Sequence, residues 1–255
     1  MFASSTSKVQ FFFIVSLILS VLGIYLYGFN FDTFLLVLTG YFVYGCLGIT
    51  VTFHRLLTHR SYKTYPIIEK ILSVLGTLGG TGSALSWVSV HVNHHLKSDK
   101  EGDPHSPIHK GIKIFKLDYE QGVDPDTKWR IRDLISNKFQ QFLHKYYSLI
   151  FVSWSLVCYA IGGLYLMIFL HLMPVVITVL ISNISNYVGH MPNLVGSSRR
   201  YNTPDHSTNN WILAIPTWGE AWHNNHHRYP KRSSFGEKWW EFDLSAIIIK
   251  LIKIK

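Results

Sequence analysis

The chain is poor in charge, in acid and in cysteine, and each shortage narrows what it can be. Asp, Glu, Lys and Arg make up only 15% of the 255 residues, against roughly 25% in an average soluble domain, so a fully water-facing surface is hard to furnish. The two cysteines, Cys46 and Cys158, both lie inside apolar runs. That excludes a disulfide framework, a cysteine zinc site and an iron–sulfur cluster. No small-residue cleavage site follows the apolar N-terminal run, so a removed signal peptide is not expected. Internal repeats, heptads and low-complexity linkers are absent. The glycine-rich stretch 76–82, G-T-L-G-G-T-G, lacks the G-x-G-x-x-G order of a nucleotide fingerprint. The formal net charge is +9, yet no groove-reading motif accompanies it, so nucleic acid is not an expected partner.

What the chain has is apolar sequence, 48% of the total, gathered in long runs. Four runs satisfy the roughly 20 residues a membrane span needs: 9–27, 31–53, 147–170 and 171–189. Pro174 sits near the start of the last, where a helix tolerates it. The expectation is one domain over 1–255, an all-α integral membrane protein with four transmembrane helices. Of the Lys and Arg residues, 14 lie between His54 and Tyr146, nine follow His190, and Lys8 precedes the first span. With the spans paired as hairpins, all of them fall on one side. Both termini and the regions 54–146 and 191–255 are therefore expected to be cytoplasmic, in an endoplasmic reticulum or bacterial inner membrane, beside anionic headgroups. A fifth apolar stretch, 67–90, carries Glu69, Lys70 and four glycines, and reads as a shallow or re-entrant element. Residues 97–133 read as a polar loop region with short helices.

Fourteen histidines are present, and their spacing matters more than their number. Three clusters stand out: His54-Arg-Leu-Leu-Thr-His59, His91-Val-Asn-His94-His95 and His223-Asn-Asn-His226-His227. Positions three and four apart share a helix face. His91, His94 and His95 are thus expected to converge on one point, and His223, His226 and His227 on another. His54 and His59, five apart, diverge by about 140° on an α-helix, which suits two neighbouring metals. Imidazole is a good ligand for Fe, Zn, Cu and Ni, and eight nitrogens exceed the needs of one ion, so two metals are expected. No glutamate sits in these boxes as the H-E-x-x-H zinc proteases require. The boxes share a membrane face only if 67–90 does not cross.

These segments resemble a known family. Residues 48–63, G-I-T-V-T-F-H-R-L-L-T-H-R-S-Y-K, resemble the first histidine box of the delta-9 fatty acyl desaturases. His91-Val-Asn-His94-His95, with Asp103-Pro-His-Ser106 downstream, resembles their second. Trp218-Gly-Glu-Ala-Trp-His-Asn-Asn-His-His227 resembles the third, particularly in plant and cyanobacterial members, and Trp239-Trp-Glu-Phe-Asp243 fits that branch. The resemblance runs from about residue 40 onward. It implies a cytoplasmic helical cap carrying a non-haem diiron site, with His54, His59, His91, His94, His95, His223, His226 and His227 as ligands. It also implies a further pair on the last span, Asn186-Tyr-Val-Gly-His190, with His190 ligating directly and Asn186 through water. The implied reaction is O2-dependent insertion of a cis double bond into a saturated acyl chain, with electrons from a cytochrome b5 or ferredoxin docked on the basic face. Asp103, Glu220 and Asp243 are candidates to orient the imidazoles. Of the other histidines, His109, His144, His171 and His206 are expected at the surface or as caps, while His105 lies close to the second box.

One departure bears on substrate. Animal acyl-CoA desaturases carry an Arg-Asp pair just before the second box, and this chain has Ser89-Val90 there. A fatty acyl thioester and an acyl lipid both stay open, with Arg60, Lys63, Lys97 and Lys100 available to phosphates. The competing functions are a membrane diiron hydroxylase or ketolase acting on a lipid, and a histidine-lined metal transporter. The strings flanking the boxes favour desaturation over the first. The second needs ligands along a path through the bilayer, whereas eight of the nine histidines lie beyond span ends.

Overall fold

The computed structural model describes residues 5–117 and 125–254; residues 118–124 of the expected loop region lie outside them. The architecture is mostly helical. Apart from isolated bridges, the departure from all-α among the described residues is a two-residue antiparallel pair, Ser197–Ser198 with Asn209–Asn210.

Helix α1 (Ser5–Tyr27) is apolar all round and leaves Phe11, Ile18 and Val21 each 61% exposed, which suits an apolar surrounding rather than water. A capping box starts α2: Thr33 N donates to Asn30 Oδ1 (3.1 Å) and Asn30 N to Thr33 Oγ1 (2.7 Å). Helix α2 (Phe31–Thr58) continues past the expected span end at residue 53, so the first histidine box begins inside it. Next come α3 (Pro66–Leu78) and α4 (Ala84–Lys97). Then follow α5 (Tyr147–His190), α6 (His223–Arg228) and α7 (Leu244–Ile252). Three stretches are long and apolar enough to cross a membrane by length and composition: Ser7–Tyr27, α2 and α5, of 21, 28 and 44 residues.

At 1.5 Å per residue α5 would run roughly 66 Å, about twice a bilayer's hydrocarbon thickness. It reverses instead. Gly162 (φ −144°, ψ 25°) and Gly163 (φ +63°, ψ −161°) break the helix, the second in a conformation open essentially to glycine alone. Phe151 and His171 then meet with ring centroids 4.7 Å apart, although a straight helix would separate them by about 30 Å. The arms are 147–161 and 164–190, so the expected boundary between Leu170 and His171 is wrong. Hydropathy is uninterrupted through both arms, and the glycine pair is the punctuation that fixes the turn. His171 is fully buried beside the Tyr44 hydroxyl (3.2 Å), not at the surface as expected.

Helices α3 and α4 have 13 and 14 residues, about 20 Å each and too short to span. The chain turns between them at Gly80 and Gly82, both at positive φ. The arms of α5 pack on α1 and α2 through Val9, Phe12, Val37, Ile168, Phe169 and Val175. The closest approach is at Gly40, where a Cβ would overlap the Leu170 carbonyl oxygen and the Pro174 ring. Pro174 has no N–H for the carbonyl four residues back, so the wall facing Gly40 is a backbone oxygen that cannot yield. Gly40→Leu is expected to abolish a monodisperse, cooperatively melting protein in detergent. Gly163→Ala meets no neighbour within 4 Å, carries only backbone strain of about 1–3 kcal/mol, and should fold with a lowered Tm. Wild-type melting of Gly40→Leu would contradict this helix contact.

Candidate metal centre

The first box is shaped by an unusual winding. From Phe42 to Thr58 the helix is π-wound, and His59 N donates to the carbonyl of His54, five residues back (3.1 Å). The Thr52 and Thr58 hydroxyls likewise donate to the carbonyls of Leu47 and Phe53 (both 2.7 Å). The wider π-turn brings positions five apart toward one face. His54 and His59 therefore lie on one face, ring centroids 4.8 Å apart, where α-helical geometry predicts divergence. π-Turns of this kind concentrate at functional sites.

The second and third boxes behave in the opposite way to the expectation that each converges on one point. His91 and His95 join His54, His59 and His226 in one group, while His94 joins His190, His223 and His227 in another; within each group the ligand atoms lie within 4.8 Å of one another. On an α-helix, i+4 falls about 40° past a full turn and i+3 about 60° short. When two groups sit side by side, the i,i+4 pair serves one and the intervening histidine the other. All nine expected histidines are thus brought together, as five and four. Asn186 donates from Nδ2 to the His105 carbonyl (2.8 Å).

The proton positions follow from the carboxylates. His54 Nδ1 donates to Glu220, His94 Nδ1 to Asp103 (2.9 Å), His190 Nδ1 to Asp99 (2.8 Å) and His227 Nδ1 to Asp205 (2.8 Å). A neutral imidazole with its proton on Nδ1 presents a lone pair at Nε2. The Nε2 atoms of the two groups converge: His54 Nε2 lies 3.1 Å from His226 Nε2, His95 Nε2 3.1 Å from both His91 and His226, and His190 Nε2 3.0 Å from His223 Nε2. The Nε2 atoms of His59, His94 and His227 are buried with no hydrogen-bond partner. Two nitrogens each about 2.1 Å from one ion are about 3.0 Å apart at a right angle and about 3.4 Å in a tetrahedron. The donor set therefore fits two metal ions, with spacings nearer octahedral than tetrahedral ligation.

Burial first, and then the neighbouring imidazoles, push His59, His91, His95, His223 and His226 well below the usual histidine range. Burial also brings His227 down to about 4 against the pull of Asp205. Burial alone would raise the Asp205 carboxyl, but His227 and the hydrogen bonds from Ser207 and Thr203 hold it well below the usual carboxylate range. At neutral pH these six rings are therefore neutral and ready to ligate.

Two of the three expected orienting carboxylates, Asp103 and Glu220, contact histidines directly. Asp243 does not: it takes both oxygens to Arg55 Nη1 (2.9 Å each) and caps α7 at Ala246 N (2.9 Å). Arg55 is fully buried and also binds Glu220 (2.9 Å). Its guanidinium lies 3.8 Å over the Phe235 ring, which in turn packs on His226 at 4.2 Å. Asp99 and Asp205 were not foreseen. For Asp205 a signal existed. Ser207 N donates back to Asp205 as His105 N does to Asp103, the same Asx turn in the similar strings Asp-Pro-His-Ser and Pro-Asp-His-Ser.

A narrow cavity of about 110 Å³ meets one side of the cluster, touching His54, His91, His223 and Glu220 with Ile49, Trp87, Val90 and Val179. Trp87 stacks on His91 at 4.8 Å. An open cleft of about 960 Å³ lies over His59, His95 and His227.

A helical protein with paired histidine groups of this kind has close relatives. Residues 32–241 match the fatty acid desaturase family model. The chain is 35% identical over 223 residues to the sn-1 stearoyl-lipid 9-desaturase of Anabaena variabilis, covering 84% of this chain and 78% of that protein. It is 31% identical over 215 residues to the delta-9 acyl-lipid desaturase 1 of Arabidopsis thaliana, covering 82% and 69%. To the acyl-CoA C20 Delta5-desaturase of Anemone leveillei it is 32% identical over 230 residues, covering 88% and 72%. The chain belongs to the fatty acid desaturase family. It is an oxidoreductase of lipid metabolism.

Asp205→Asn keeps shape and removes charge. It should weaken metal retention about 10–100-fold, read by metal analysis during chelator competition; unchanged retention would remove Asp205 from the centre. The neutral imidazoles also set a pH dependence for the metal-stripped protein. The unfolded chain takes up protons below about pH 6.5 while the buried rings do not, so stability present above that pH is lost as the pH falls. A lower Tm at about pH 5.5 than at about 7.5 is expected, and equal values would contradict neutral burial.

Proposed function

We propose that this chain is a membrane-embedded diiron desaturase that inserts a cis double bond, in the delta-9 position, into a saturated acyl chain carried on a lipid. The observation that carries the reading is the pair of histidine groups whose ring nitrogens converge beside an apolar cavity. His54, His59, His91, His95 and His226 would hold one iron and His94, His190, His223 and His227 the other. Asn186, fixed by its amide on the His105 carbonyl, would reach its iron through water. Bound iron supplies the O2-derived oxidising power that an unactivated methylene requires and no protein acid or base provides.

The chain's own residues supply position and environment. Glu220, Asp103, Asp99 and Asp205 keep four Nδ1 protons in place, fixing tautomer and ring orientation. Trp87, Val90, Ile49 and Val179 wall the cavity and keep water from the reacting carbons, while cavity depth selects which methylene pair lies beside the ligands. Four crossings are supported by α1, α2 and the two arms of α5, with the centre on the basic cytoplasmic side. An acyl lipid is favoured by Ser89-Val90 and by the named lipid desaturases; an acyl-CoA substrate is favoured by the similarity to the Anemone enzyme.

The test is the fatty-acid profile of a host expressing the chain, separated by lipid class, beside a His94→Ala control. A new delta-9 monounsaturated acid on a lipid, absent in the control, is expected. A hydroxylated or oxo product would transfer the chain to the related oxygenases, and a product confined to acyl-CoA would overturn the lipid assignment.

A further inference from the structure

The region 191–255 is expected on the cytoplasmic side as a whole, yet part of it packs on α2 well below the end of that span. Counted from the 28–30 turn at 1.5 Å per residue, Tyr41 and Gly45 of α2 are about 15 and 20 Å up, inside a hydrocarbon layer about 30 Å thick. The Trp218 ring lies 5.0 Å from that of Tyr41 and 5.8 Å from that of Phe42. A Cβ on Gly45 would come 3.3 Å from the Trp218 Nε1, and the Tyr41 hydroxyl donates to the Pro216 carbonyl. The segment held there, N-W-I-L-A-I-P-T-W over 210–218, turns large apolar side chains outward: Trp211, Ile212 and Ile215 are exposed, Ile215 by 65%. Its backbone groups are taken up locally, as a lipid surrounding demands. Asn210 Oδ1 accepts from Leu213 N (3.1 Å). The N–H groups of Thr217, Trp218 and Gly219 go to the carbonyls of Leu213, Ile215 and Ala214 (3.0, 3.1 and 2.8 Å). Helix α7 lies alongside: Ser245 N donates to the Trp218 carbonyl (3.2 Å), and Ser245 Oγ is 2.5 Å from Thr50 Oγ1 of α2. Its outward residues include Ile247 and Leu251, one turn apart, with Leu251 81% exposed. Lys250 and Lys253, both exposed, flank Leu251 in sequence.

We propose that residues 210–218 and α7 are immersed in the cytoplasmic leaflet as a monotopic anchor, and that the hydrocarbon of that leaflet covers their apolar faces. The proposal rests on the four membrane crossings proposed above. A water-soluble partner does not reach the depth of Tyr41. Apolar residues beside lysines, on a short helix at a span end, are the pattern of an interfacial helix whose cations meet anionic headgroups. The surface is also continuous with the shallow α3, because Ile254 N donates to the Lys63 carbonyl (2.9 Å) just before that helix begins. A second copy of this chain is the competing occupant, and the test separates it from lipid. Glu220 and His223 follow Ile215 by five and eight residues. The leaflet therefore helps to fix the depth at which the third box meets the acyl cavity.

The experiment uses the full-length metal-loaded protein in lipid nanodiscs, nitroxide-labelled at Ile215→Cys or at Leu251→Cys. Both native cysteines are buried, and the unsubstituted protein measures their background. Power-saturation EPR compares collisions of the label with O2, which concentrates in hydrocarbon, and with a neutral nickel chelate, which stays in water. Ile18→Cys on α1 is the lipid reference, and Lys231→Cys, exposed on the open cleft, is the water reference. Labels at 215 and 251 should give an O2-to-nickel collision ratio several-fold above that at 231 and close to that at 18. A ratio equal to that at 231 would overturn the proposal. Rare collisions with both reagents would also overturn it, since they mean that protein covers the face, a second copy if the spectra broaden through spin–spin contact. A water-like ratio at 18 would instead defeat the membrane-spanning reading on which the proposal rests.

Discussion

In each of two close imidazole pairs, His54 with His226 and His190 with His223, the nitrogens lie 3.0–3.1 Å apart. One ring of each pair has its proton held on the far side by a carboxylate, so its lone pair faces the neighbouring ring and invites a cation between them. The rest of the fold is arranged around that requirement. On the proposed assignment two divalent ions bring four positive charges and nine neutral rings bring none. Glu220, Asp103, Asp99 and Asp205, each on a ligand's Nδ1, return four negative charges at the next layer. Arg55, buried without exposure, is matched by Asp243, so the charge count closes without the solvent that a low-dielectric interior excludes.

Local structure is bent to serve this centre. The π-winding of Phe42–Thr58 brings His54 and His59 onto one face at the cost of regular α-helical hydrogen bonding. Helix α6 has six residues, far too few to be stable alone, and is held by the two asparagines inside its own box. Asn224 Oδ1 accepts from Arg200 N (2.9 Å) and Tyr201 N (2.7 Å). Asn225 donates to the Phe235 carbonyl (2.9 Å) and takes its own N–H to Asn209 (3.1 Å). The residues between the third-box histidines are therefore structural, and the segments they grip also carry Asp205 and Phe235.

The nine clustered histidines, the apolar runs and the glycine break within 67–90 were legible in the sequence because each rests on local composition or short-range spacing. The division of the boxes into groups was not. It depends on where a second ligand group sits, and spacing alone makes His91, His94 and His95 look like one set. The winding at His54 was illegible for a similar reason: no proline or glycine marks it between Thr50 and His59, and tertiary context overrides helix preference. Asp99 lies in the left-handed region (φ +57°) just past α4, and nothing local distinguishes it from Glu101. Its role is visible only when His190 arrives from 91 residues away.

The 164–190 arm raises an apparent conflict, since Ser182, Asn183, Ser185 and Asn186 all line the cavity meant for an acyl chain. Polar groups at this depth are costly and mark function, yet the donors of Ser182, Asn183 and Asn186 are taken by backbone carbonyls. Ser182 Oγ donates to the Thr178 carbonyl (2.7 Å) and Asn183 Nδ2 to that of Val179 (2.8 Å), each one turn back, while Asn186 donates to His105. Back-bonding of this kind satisfies the donor within the helix. The wall is consequently less polar than the sequence reads. That is a surface a saturated chain can lie against.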